Sequence, residues 1–443
     1  MSKEIAVLGF GVTGQSVTRH MLECGFVPIV LDTRPARPVG EEFHNVDIRW
    51  GIHSWPGLDV ERVVVSPGLE LTSCLVQGAR KAGLELVSDI DLFFEQANAP
   101  VIGITGTNGK STVTSLVGHL LEHADYEPGV GGNLGRAALD LLREEHDVYV
   151  LELSSFQLER SRIHQFDRAT ILNITEDHID QHGDLPRYVD AKHRIFSDAD
   201  IVVSNRDDDR TRCGGERMTI GLSEPSDDRE WGIVELAGKP WIALGQEAII
   251  STDALPLDGA HNQLNVMAAC ALVEGLISRS ELVESLVNFK GLPHRFQKVA
   301  ESQGIVFIDD SKATNVGATL AALYGLPLQQ EVVLIAGGDA KGADLNPLTE
   351  AFHSRVGAVV ALGKDGPDIA AIASGLGIET RSSESMLEAV GLAMAMVKPG
   401  QWILLSPACA SLDMFSSYIE RGRQFREAAE QLINLGKDEG MVR

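Results

Sequence analysis

Short apolar runs alternate with amphipathic segments in the N-terminal part of the chain, and each run ends in turn-forming or polar residues. The runs occupy residues 5–11, 27–32 and 62–68. Strands that alternate with helical segments are typical of a parallel sheet with helices packed on its faces. Residues 1–95 are therefore predicted to form an α/β domain.

The same pattern begins again after a break at residues 97–100. The apolar runs of this second block are residues 101–105, 147–155, 168–175 and 199–205. Within it, residues 233–244 predict a β-hairpin centred on Gly238 and Lys239, and residues 262–285 predict a helix. The hairpin adds antiparallel strands, so the sheet of this block is expected to be mixed.

A third block of short apolar runs follows a break at residues 291–293. Its runs are residues 305–311, 331–338, 358–363 and 401–408. The length of the chain is also that of about three domains. The predicted fold class is α/β with three domains, at residues 1–95, 96–294 and 295–443.

The amino-acid composition limits the classes of partner that the protein is expected to bind. The chain has 443 residues and a formal net charge of −25, whereas nucleic acid is bound through clustered lysine and arginine side chains. No run reaches the roughly 18 apolar residues of a membrane helix, and a secretion-signal pattern is lacking. The five cysteines are scattered without a C-x-x-C pair, which favours reduced thiols in the cytoplasm. We therefore expect a cytoplasmic protein without nucleic-acid or membrane partners.

The most informative segment is VIGITGTNGKST at residues 101–112. A glycine-rich loop between a strand and a helix presents backbone N–H groups to phosphate oxygens, with a lysine and a hydroxyl group that can reach phosphate and Mg²⁺. Ile104 departs from the strict phosphate-loop pattern, and the alternative is an ordinary strand–turn–helix corner. The candidate ATP-binding residues are Gly106, Thr107, Asn108, Gly109, Lys110, Ser111 and Thr112.

A second glycine-rich turn, G-x-G-x-x-G, follows the first predicted strand at residues 9–14. Asp32 ends the next predicted strand, and this arrangement is typical of dinucleotide-binding folds. Taken alone, the motif indicates a nucleotide-type ligand, NAD among them, or only a tight strand–helix corner. Arg34 is a candidate phosphate ligand or an exposed arginine.

Three polar residues of the second block are candidates for metal or phosphate chemistry. Glu152 ends the run 147–155, where a carboxylate is a suitable Mg²⁺ ligand or else a surface acid. His178 lies in the polar segment 173–180 and is a candidate for a second site, although an isolated histidine is more often structural. Lys192, taken alone, is an exposed lysine on a helix.

Two further candidates lie close to the second boundary. Asn265 shares one helix face with Asn262 and is suited either to read a base edge or to cap the helix. Arg295 is a cation that could reach ATP phosphates from a neighbouring domain, or a hinge residue without chemistry.

Polar side chains also follow predicted strands of the third block. Asp310 and Thr314 follow one run, Lys341 another and Ser411 a third. Ligands of open α/β sheets bind beyond the carboxyl ends of strands. Together these residues predict a pocket for a small polar substrate, whereas each alone would be an ordinary loop residue.

Motifs spread over nearly the whole chain occur in the order of a known family. They are GTNGKS (106–111), ELSSFQLE (152–159), NITEDHID (173–180), GAHNQLN (259–265), GLPHRF (291–296), DDSKATN (309–315) and SPACASLDMF (406–415). Together they resemble the Mur ligases of bacterial cell-wall synthesis, and in particular the D-glutamate-adding members. The resemblance implies a Rossmann-like N-terminal domain for a UDP-sugar substrate, a central P-loop ATPase-like domain for ATP, and a Rossmann-like C-terminal domain for the amino acid.

The resemblance also implies which residues bind the substrates. The UDP-substrate would be bound by Val12, Thr13, Asp32, Thr33, Arg34, Gly68 and Asn133. ATP would be bound by the loop 106–112 together with Asn265, Arg295 and Asp310. D-Glutamate would be bound by Thr314, Lys341, Ser411 and Tyr418, and Tyr418 stands where the family is expected to have phenylalanine.

Two magnesium sites are implied in the same way. Ser111 and Glu152 would hold one Mg²⁺, and His178 would serve the second together with a carbamylated Lys192. A carbamate turns the lysine ammonium into an anionic oxygen ligand, which Mg²⁺ prefers. Lys110, His178 and Lys192 are the implied catalytic residues.

The implied reaction is the ATP-dependent, ADP-forming addition of D-glutamate to UDP-N-acetylmuramoyl-L-alanine through an acyl phosphate, carried out by a monomer. Two alternatives stay open from the sequence. One is another Mur-type or folylpolyglutamate-type ligase with a different amino acid. The other is an NAD-dependent oxidoreductase built on residues 1–95.

Overall fold

The computed structural model describes residues 5–214, 217–257, 259–327 and 329–438, with the side chains of Asp180 and of residues 436–438 left out. The chain divides into two compact units. The first contains the described residues of Met1–Ile174, Gln181–Thr252 and Asn265–Leu286, and the second those of Thr175–Asp180, Asp253–Leu264 and Val287–Arg443. The N-terminal and central sheets lie in the first unit and the C-terminal sheet in the second.

The N-terminal sheet is built from parallel pairs in the order β3-β2-β1-β4-β5. Its strands are β1 Ile5–Leu8, β2 Ile29–Asp32, β3 Asp47–Trp50, β4 Arg62–Val65 and β5 Glu85–Val87. The helices are α1 Val12–Glu23, α2 Cys74–Lys81 and α3 Asp89–Phe94. The predicted parallel α/β arrangement of this block is confirmed.

The central sheet has the order β14-β13-β12-β11-β10-β9-β6-β8-β7. Its strands are β6 Val101–Thr105, β7 Pro128–Gly132, β8 Val148–Glu152, β9 Phe166–Ile171, β10 Ala199–Asn205, β11 Arg217–Ile220, β12 Glu230–Leu236, β13 Lys239–Leu244 and β14 Glu247–Ser251. The pairs β12–β13 and β13–β14 are antiparallel and the others parallel. The sheet is therefore mixed, as predicted.

Helices separate the strands of this part of the chain. They are α4 Lys110–His123, α5 Ala138–Leu141, α6 Ser155–Arg160, α7 Ile179–His182, α8 Leu185–His193, α9 Ala260–Val273 and α10 Arg279–Asn288. Of these, α4 packs against β6, β7 and β8. Short 3₁₀ turns lie at Glu41–Phe43, Arg194–Phe196, Asp209–Thr211 and Thr252–Ala254. The helical stretch predicted over residues 262–285 is present as two helices, because the chain leaves α9 after Val273 and Gly275 takes a positive φ of 76°.

The predicted hairpin is present, with its turn one residue earlier than expected. Leu236 pairs with Lys239, so the turn consists of Ala237 and Gly238, both with positive φ. Two such residues match the type I′ turn that suits the twist of two antiparallel strands.

The C-terminal sheet has the order β15-β16-β20-β17-β18-β19, in which only the pair β15–β16 is antiparallel among the described strands. The strands are β15 Gln297–Ser302, β16 Ile305–Asp309, β17 Val332–Gly337, β18 Val356–Leu362, β19 Glu379–Ser383 and β20 Trp402–Leu405. The helices are α11 Val316–Tyr324, α12 Leu348–Arg355, α13 Gly366–Gly375, α14 Met386–Met396 and α15 Tyr418–Asp438.

The N-terminal and central domains share part of one hydrophobic core. Phe93 of α3 packs edge-on against Tyr149 of β8, with the ring centroids 5.0 Å apart. Next to it, Phe94 stacks on His164 at 4.4 Å and meets Phe166 edge-on. These aromatic contacts hold the two sheets together within the first unit.

Among the helices of the described ranges, none is long and apolar enough to cross a membrane.

Candidate active site

The phosphate-binding loop lies between β6 and α4, as the sequence predicts. Gly109, the N-cap residue of α4, has a left-handed φ of 84° and no side chain of its own to cap the helix. A Cβ on Gly109 would clash with Oδ1 of Asn265, which is 7% exposed. The N-terminus of α4 therefore adjoins the loop, a position that favours an anion through the helix dipole, and Asn265 lies against the loop.

Lys110 begins α4 and folds back over the loop. Its Nζ donates hydrogen bonds to the carbonyl oxygens of Gly106 and Thr107, both at 2.8 Å. The lysine charge is thus held within the loop, where a phosphate group would complement it.

Two residues that the sequence did not single out fix the shape of this loop. Asn173 receives the amide N–H of Asn108 at 2.9 Å and donates its own amide to the Asn108 carbonyl at 3.0 Å. The hydroxyl groups of Tyr188 and Thr107 lie 3.1 Å apart. The segment containing Asn173 was recognised as polar, but its pairing with the loop depends on the neighbouring strands β6 and β9.

Glu152 lies at the end of β8, directly beside the phosphate-loop strand, where it pairs with Ile104. It is 3% exposed, and its Oε1 accepts a hydrogen bond from Nδ2 of Asn133 at 2.7 Å. Its Oε2 is buried without a hydrogen-bond partner within the residues that the structure describes. Because an unpaired buried carboxylate oxygen is unfavourable, this atom fits a cation.

The structure brings Lys192 of α8 to the same loop. Its side chain is 1% exposed, and its Nζ donates to the carbonyl oxygen of Gly106 at 2.9 Å and contacts Oγ1 of Thr105 at 3.4 Å. The Nζ also lies 4.6 Å from the centre of the Tyr188 ring. The alternative of a solvent-exposed lysine is therefore wrong.

His178 belongs to the second unit, whereas Ser111, Glu152 and Lys192 belong to the first. His178 has a positive φ of 56°, and its amide N–H donates to Oδ1 of Asp177 at 3.0 Å. Asn315, which caps α11, donates to the other oxygen of Asp177 at 3.1 Å. The segments 173–180 and 309–315, which the sequence analysis treated separately, thus meet at Asp177 and Asn315.

Across residues 5–214, 217–257, 259–327 and 329–438, no cluster of three or more histidine, cysteine, aspartate or glutamate side chains is arranged to hold a metal. Ser111, a predicted Mg²⁺ ligand, lies in the first turn of α4 and is 4% exposed.

A cleft of about 330 Å³ opens at the carboxyl ends of β1, β2 and β4. Its lining includes six of the predicted UDP-substrate residues, namely Val12, Thr13, Asp32, Thr33, Arg34 and Gly68. Gly14 lies so close to the backbone that a Cβ would overlap the carbonyl oxygen of Gly9. The glycine motif therefore shapes a tight strand–helix turn and a ligand-sized cleft together.

Asp32 is fixed at the base of this cleft. Its carboxylate accepts hydrogen bonds from the amide of Phe10 at 2.7 Å and from the amide and guanidinium groups of Arg34 at 2.6–2.9 Å. Burial raises the pKa of Asp32, but these hydrogen bonds outweigh burial and lower the pKa to about 2. Arg34 is thus paired with Asp32, and the pair presents remaining N–H groups to the cleft.

The seventh predicted UDP-substrate residue, Asn133, does not line this cleft. Its side-chain amide instead donates to Glu152, as described above.

Asp310, a predicted ATP contact, is buried at the end of β16 in the second unit. Its two oxygens accept hydrogen bonds from Oγ of Ser406 at 2.8 Å and from the amide of Phe296 at 3.2 Å. Burial nevertheless raises the pKa of Asp310 to about 7. The charge of the neighbouring Arg295 acts in the opposite direction and favours the carboxylate.

The predicted D-glutamate residues lie around the carboxyl ends of strands in the C-terminal sheet. Ser411 is 4% exposed, and Lys341 has a positive φ of 54° with its amide bound to Asp339 at 2.9 Å. The amide of Thr314 donates to the carbonyl oxygen of Lys312 at 2.8 Å. The Nζ of Lys312 lies 4.0 Å from the centre of the Tyr418 ring.

Arg421, which the sequence did not single out, ties two of these loops together. It is 1% exposed and donates to the carbonyl oxygen of Ser311 at 2.7 Å and to that of Cys409 at 3.1 Å. Ser311 and Cys409 belong to the motifs that also contain Thr314 and Ser411. An arginine on a long helix carries no sequence signal of such a role.

Family profiles match most of the chain. The Mur ligase MurD-like N-terminal domain matches residues 3–88, the Mur ligase middle domain residues 104–273, and the Mur ligase glutamate ligase domain residues 294–409. Together with full-length relatives that are 41% identical, these matches show that the chain belongs to the Mur ligase family. It is a ligase of a family that uses ATP, and the alternative of an NAD-dependent oxidoreductase is not supported.

Individual relatives are similar to this chain over nearly its whole length. A UDP-N-acetylmuramoylalanine--D-glutamate ligase from Methylobacillus flagellatus is 41% identical over 442 residues, which cover 97% of each chain. The ligases of the same name from Methylococcus capsulatus and Yersinia pseudotuberculosis are 41% and 40% identical and cover 97% of this chain. The matches cover 95% and 98% of those relatives.

Solved structures share the fold at lower identity. UDP-N-acetylmuramate-alanine ligase from Thermotoga maritima superposes with a TM-score of 0.64 at 21% identity, covering 97% of this chain and 99% of that one. MurF from Acinetobacter baumannii gives 0.61 at 17% identity, covering 96% and 93%. These likenesses confirm the predicted three-domain α/β fold.

Proposed function

We propose that this ligase joins D-glutamate to UDP-N-acetylmuramoyl-L-alanine with cleavage of ATP to ADP and phosphate. The observation that carries the proposal is the similarity to relatives named for this reaction, which extends over 97% of the chain at about 41% identity. Geometry supports the chemistry, because a phosphate loop, a buried lysine and an unpaired carboxylate oxygen lie together in the central domain.

Activation of the substrate carboxylate is assigned to the central domain. In the proposed reaction, the alanyl carboxylate attacks the γ-phosphorus of ATP, ADP leaves, and an acyl phosphate forms. The loop amides at the start of α4 and the Lys110 ammonium bind the phosphate oxygens and favour the charge of the transferring group. Asn173 and Tyr188 keep the loop in the shape that this binding requires.

The second step joins the amine of D-glutamate to the acyl carbon, with loss of phosphate. We assign the binding of the two carboxylates of D-glutamate to Lys341, Thr314 and Ser411, since cationic and hydroxyl groups are suitable partners for carboxylates. Arg295 and Asp310 are assigned to the nucleotide.

The magnesium sites are part of the proposal. Ser111 and Glu152 would hold one Mg²⁺, and the buried, unpaired Oε2 of Glu152 fits this role. His178 and a carbamylated Lys192 would hold the second. When bound, the metal would neutralise phosphate charge in the transition state. The cytoplasmic location, the monomeric state and the domain boundaries at residues 95 and 294 stay predictions from the sequence.

The test is phosphate release from ATP in the presence of Mg²⁺ and UDP-N-acetylmuramoyl-L-alanine, with and without D-glutamate. Release that requires both substrates supports the proposal, and the peptide product is then identified by mass. L-Glutamate, L-alanine and a diamino acid serve as matched controls. Release with one of these in place of D-glutamate would keep the ligase chemistry and contradict the proposed amino acid.

A further inference from the structure

Arg160, the last residue of α6, reaches from the central domain to the rim of the N-terminal cleft. Its Nη2 donates a hydrogen bond to the carbonyl oxygen of Leu69 at 2.6 Å, and Leu69 lines the cleft. Its Nη1 donates to the carbonyl oxygen of Phe156 at 2.9 Å, and its guanidinium carbon lies 5.5 Å from the centre of the Phe156 ring. The side chain is thus fixed to its own helix, and Leu69 is fixed to it.

The burial of the Arg160 guanidinium indicates that its contacts contribute little net stability. The Arg160 side chain is only 6% exposed, its Nη1 lies 3.9 Å from a carboxylate oxygen of the exposed Glu159, and its Nε is buried without a hydrogen-bond partner in the described part of the chain. Removing a guanidinium from water is unfavourable unless its donors are satisfied, and buried charges often contribute little net stability. The contact therefore points to a geometric role.

The loop that Arg160 holds is part of the cleft wall. Ser66 donates its hydroxyl to the carbonyl oxygen of Gly9, within the glycine-rich turn, at 3.1 Å. The amide of Leu69 donates to the carbonyl oxygen of Ser66 at 3.1 Å. A displacement of Leu69 would therefore also move Gly68 and the glycine-rich turn, which line the same cleft.

A second contact also attaches α6 to the N-terminal domain. Nε2 of Gln157 donates to Oδ2 of Asp89 at 3.2 Å, and both side chains are buried. Gln157 also closes a capping box with Ser154, the N-cap residue of α6, which lies two residues after Glu152. The helix thus connects the cleft to the strand end that carries the candidate metal ligand.

We propose that Arg160 is a positioning residue for the UDP-substrate. By holding the carbonyl of Leu69, it keeps the loop Ser66–Leu69 in the conformation that binds the nucleotide sugar. The inference rests on the proposed function, because it assumes that the cleft binds this substrate.

The experiment measures binding and turnover separately. Titration calorimetry with UDP-N-acetylmuramoyl-L-alanine compares the wild type with Arg160→Met, which keeps most of the bulk and removes the donors. We expect Kd to rise about tenfold, equivalent to about 1.4 kcal/mol. In steady-state assays the KM for this substrate rises similarly, while kcat and the KM values for ATP and D-glutamate stay within about twofold. Arg160→Lys restores part of the affinity.

The matched control is Arg162→Met. Arg162 lies at the same junction, but its side chain is 53% exposed and pairs with Glu85, so its loss should leave Kd unchanged. Equal Kd values for wild type and Arg160→Met would overturn the inference. If Arg160→Met does not fold, Arg160→Gln, which also removes the guanidinium group, takes its place, and an unchanged Kd in that variant overturns the inference. A wild type that does not bind the UDP-substrate would instead contradict the proposed function.

Discussion

Asn133 donates its side-chain amide to one carboxylate oxygen of Glu152 and leaves the other oxygen buried and unpaired within the described residues. The hydrogen bond orients the carboxylate, and the second oxygen faces no protein donor there. Outer partners of this kind commonly hold a metal-binding carboxylate in place. We therefore expect the second carboxylate oxygen of Glu152 to bind Mg²⁺.

Glu152→Gln should lower kcat by about 100-fold or more, because an amide removes the negative charge that a cation requires. The decrease should be partly offset at high Mg²⁺ concentration, which is measured by titrating Mg²⁺ in the phosphate-release assay. Glu122→Gln, an exposed acid on α4, is the control and should behave as wild type. Wild-type Mg²⁺ dependence in Glu152→Gln would contradict the metal assignment.

Asn133→Ala separates two roles for Asn133. The resemblance assigns it to the UDP-substrate, whereas in the structure its side-chain amide donates to Glu152. If it orients Glu152, the variant requires about tenfold more Mg²⁺, with little change in the KM for the UDP-substrate. A selective rise in that KM, at unchanged Mg²⁺ dependence, would show that substrate binding is its main role.

Lys110→Ala should reduce kcat by about 1,000-fold or more, because the loop loses the ammonium group that would bind the phosphate oxygens. Phosphate release is the measurement, and the melting temperature should stay close to that of the wild type. Lys81→Ala, an exposed lysine at the end of α2, is the control. A near-normal rate in Lys110→Ala would refute the phosphate-loop assignment.

Lys192→Ala should also be inactive, and a short carboxylate such as acetate should restore part of the activity by replacing the carbamate oxygens. The residue is buried beside Gly106 and Thr105, so a small anion can occupy the space that the side chain leaves. Acetate should not rescue Lys110→Ala, which makes that variant the control. Full activity of Lys192→Ala without any additive would rule out a metal-bridging role.

Asp310 gives a pH prediction for stability. Because burial raises its pKa to about 7, the folded protein binds a proton that the unfolded chain releases near pH 4. The free energy of unfolding therefore decreases as pH rises from about 4 to 7, by up to about 1.4 kcal/mol per pH unit, and is unaffected by this group above pH 7. Asp310→Asn should remove this contribution.

The measurement is the difference in melting temperature between Asp310→Asn and the wild type from pH 5 to pH 8. The melting temperature of Asp310→Asn should rise relative to that of the wild type as pH increases to about 7. Above pH 7 the difference should stay constant. Asp368→Asn, an exposed acid in α13, should show no such trend. A difference that does not change with pH would mean that Asp310 keeps an ordinary pKa.

The strands that the apolar pattern missed show what a sequence pattern detects. It missed the strand at each sheet edge, namely β3, β5, β7, β14, β15 and β19, and also β11. Central strands are buried on both faces and appear as apolar runs, whereas edge strands are half exposed and carry polar residues or glycine. In β7 a Cβ on Gly131 would clash with the carbonyl oxygen of Arg136, so glycine is required by a contact that the pattern does not reveal.

The sequence by itself determined the α/β class, the phosphate loop and the resemblance to Mur ligases, because these depend on short spacings and on residues adjacent in the chain. The tertiary structure decided that Lys192 is buried against Gly106, that Asn133 faces Glu152, and that Arg160 holds Leu69. Each of these contacts joins residues that are 19 or more positions apart. Such pairs form only when the strands between them have taken their order in the sheet, and no local pattern encodes that order.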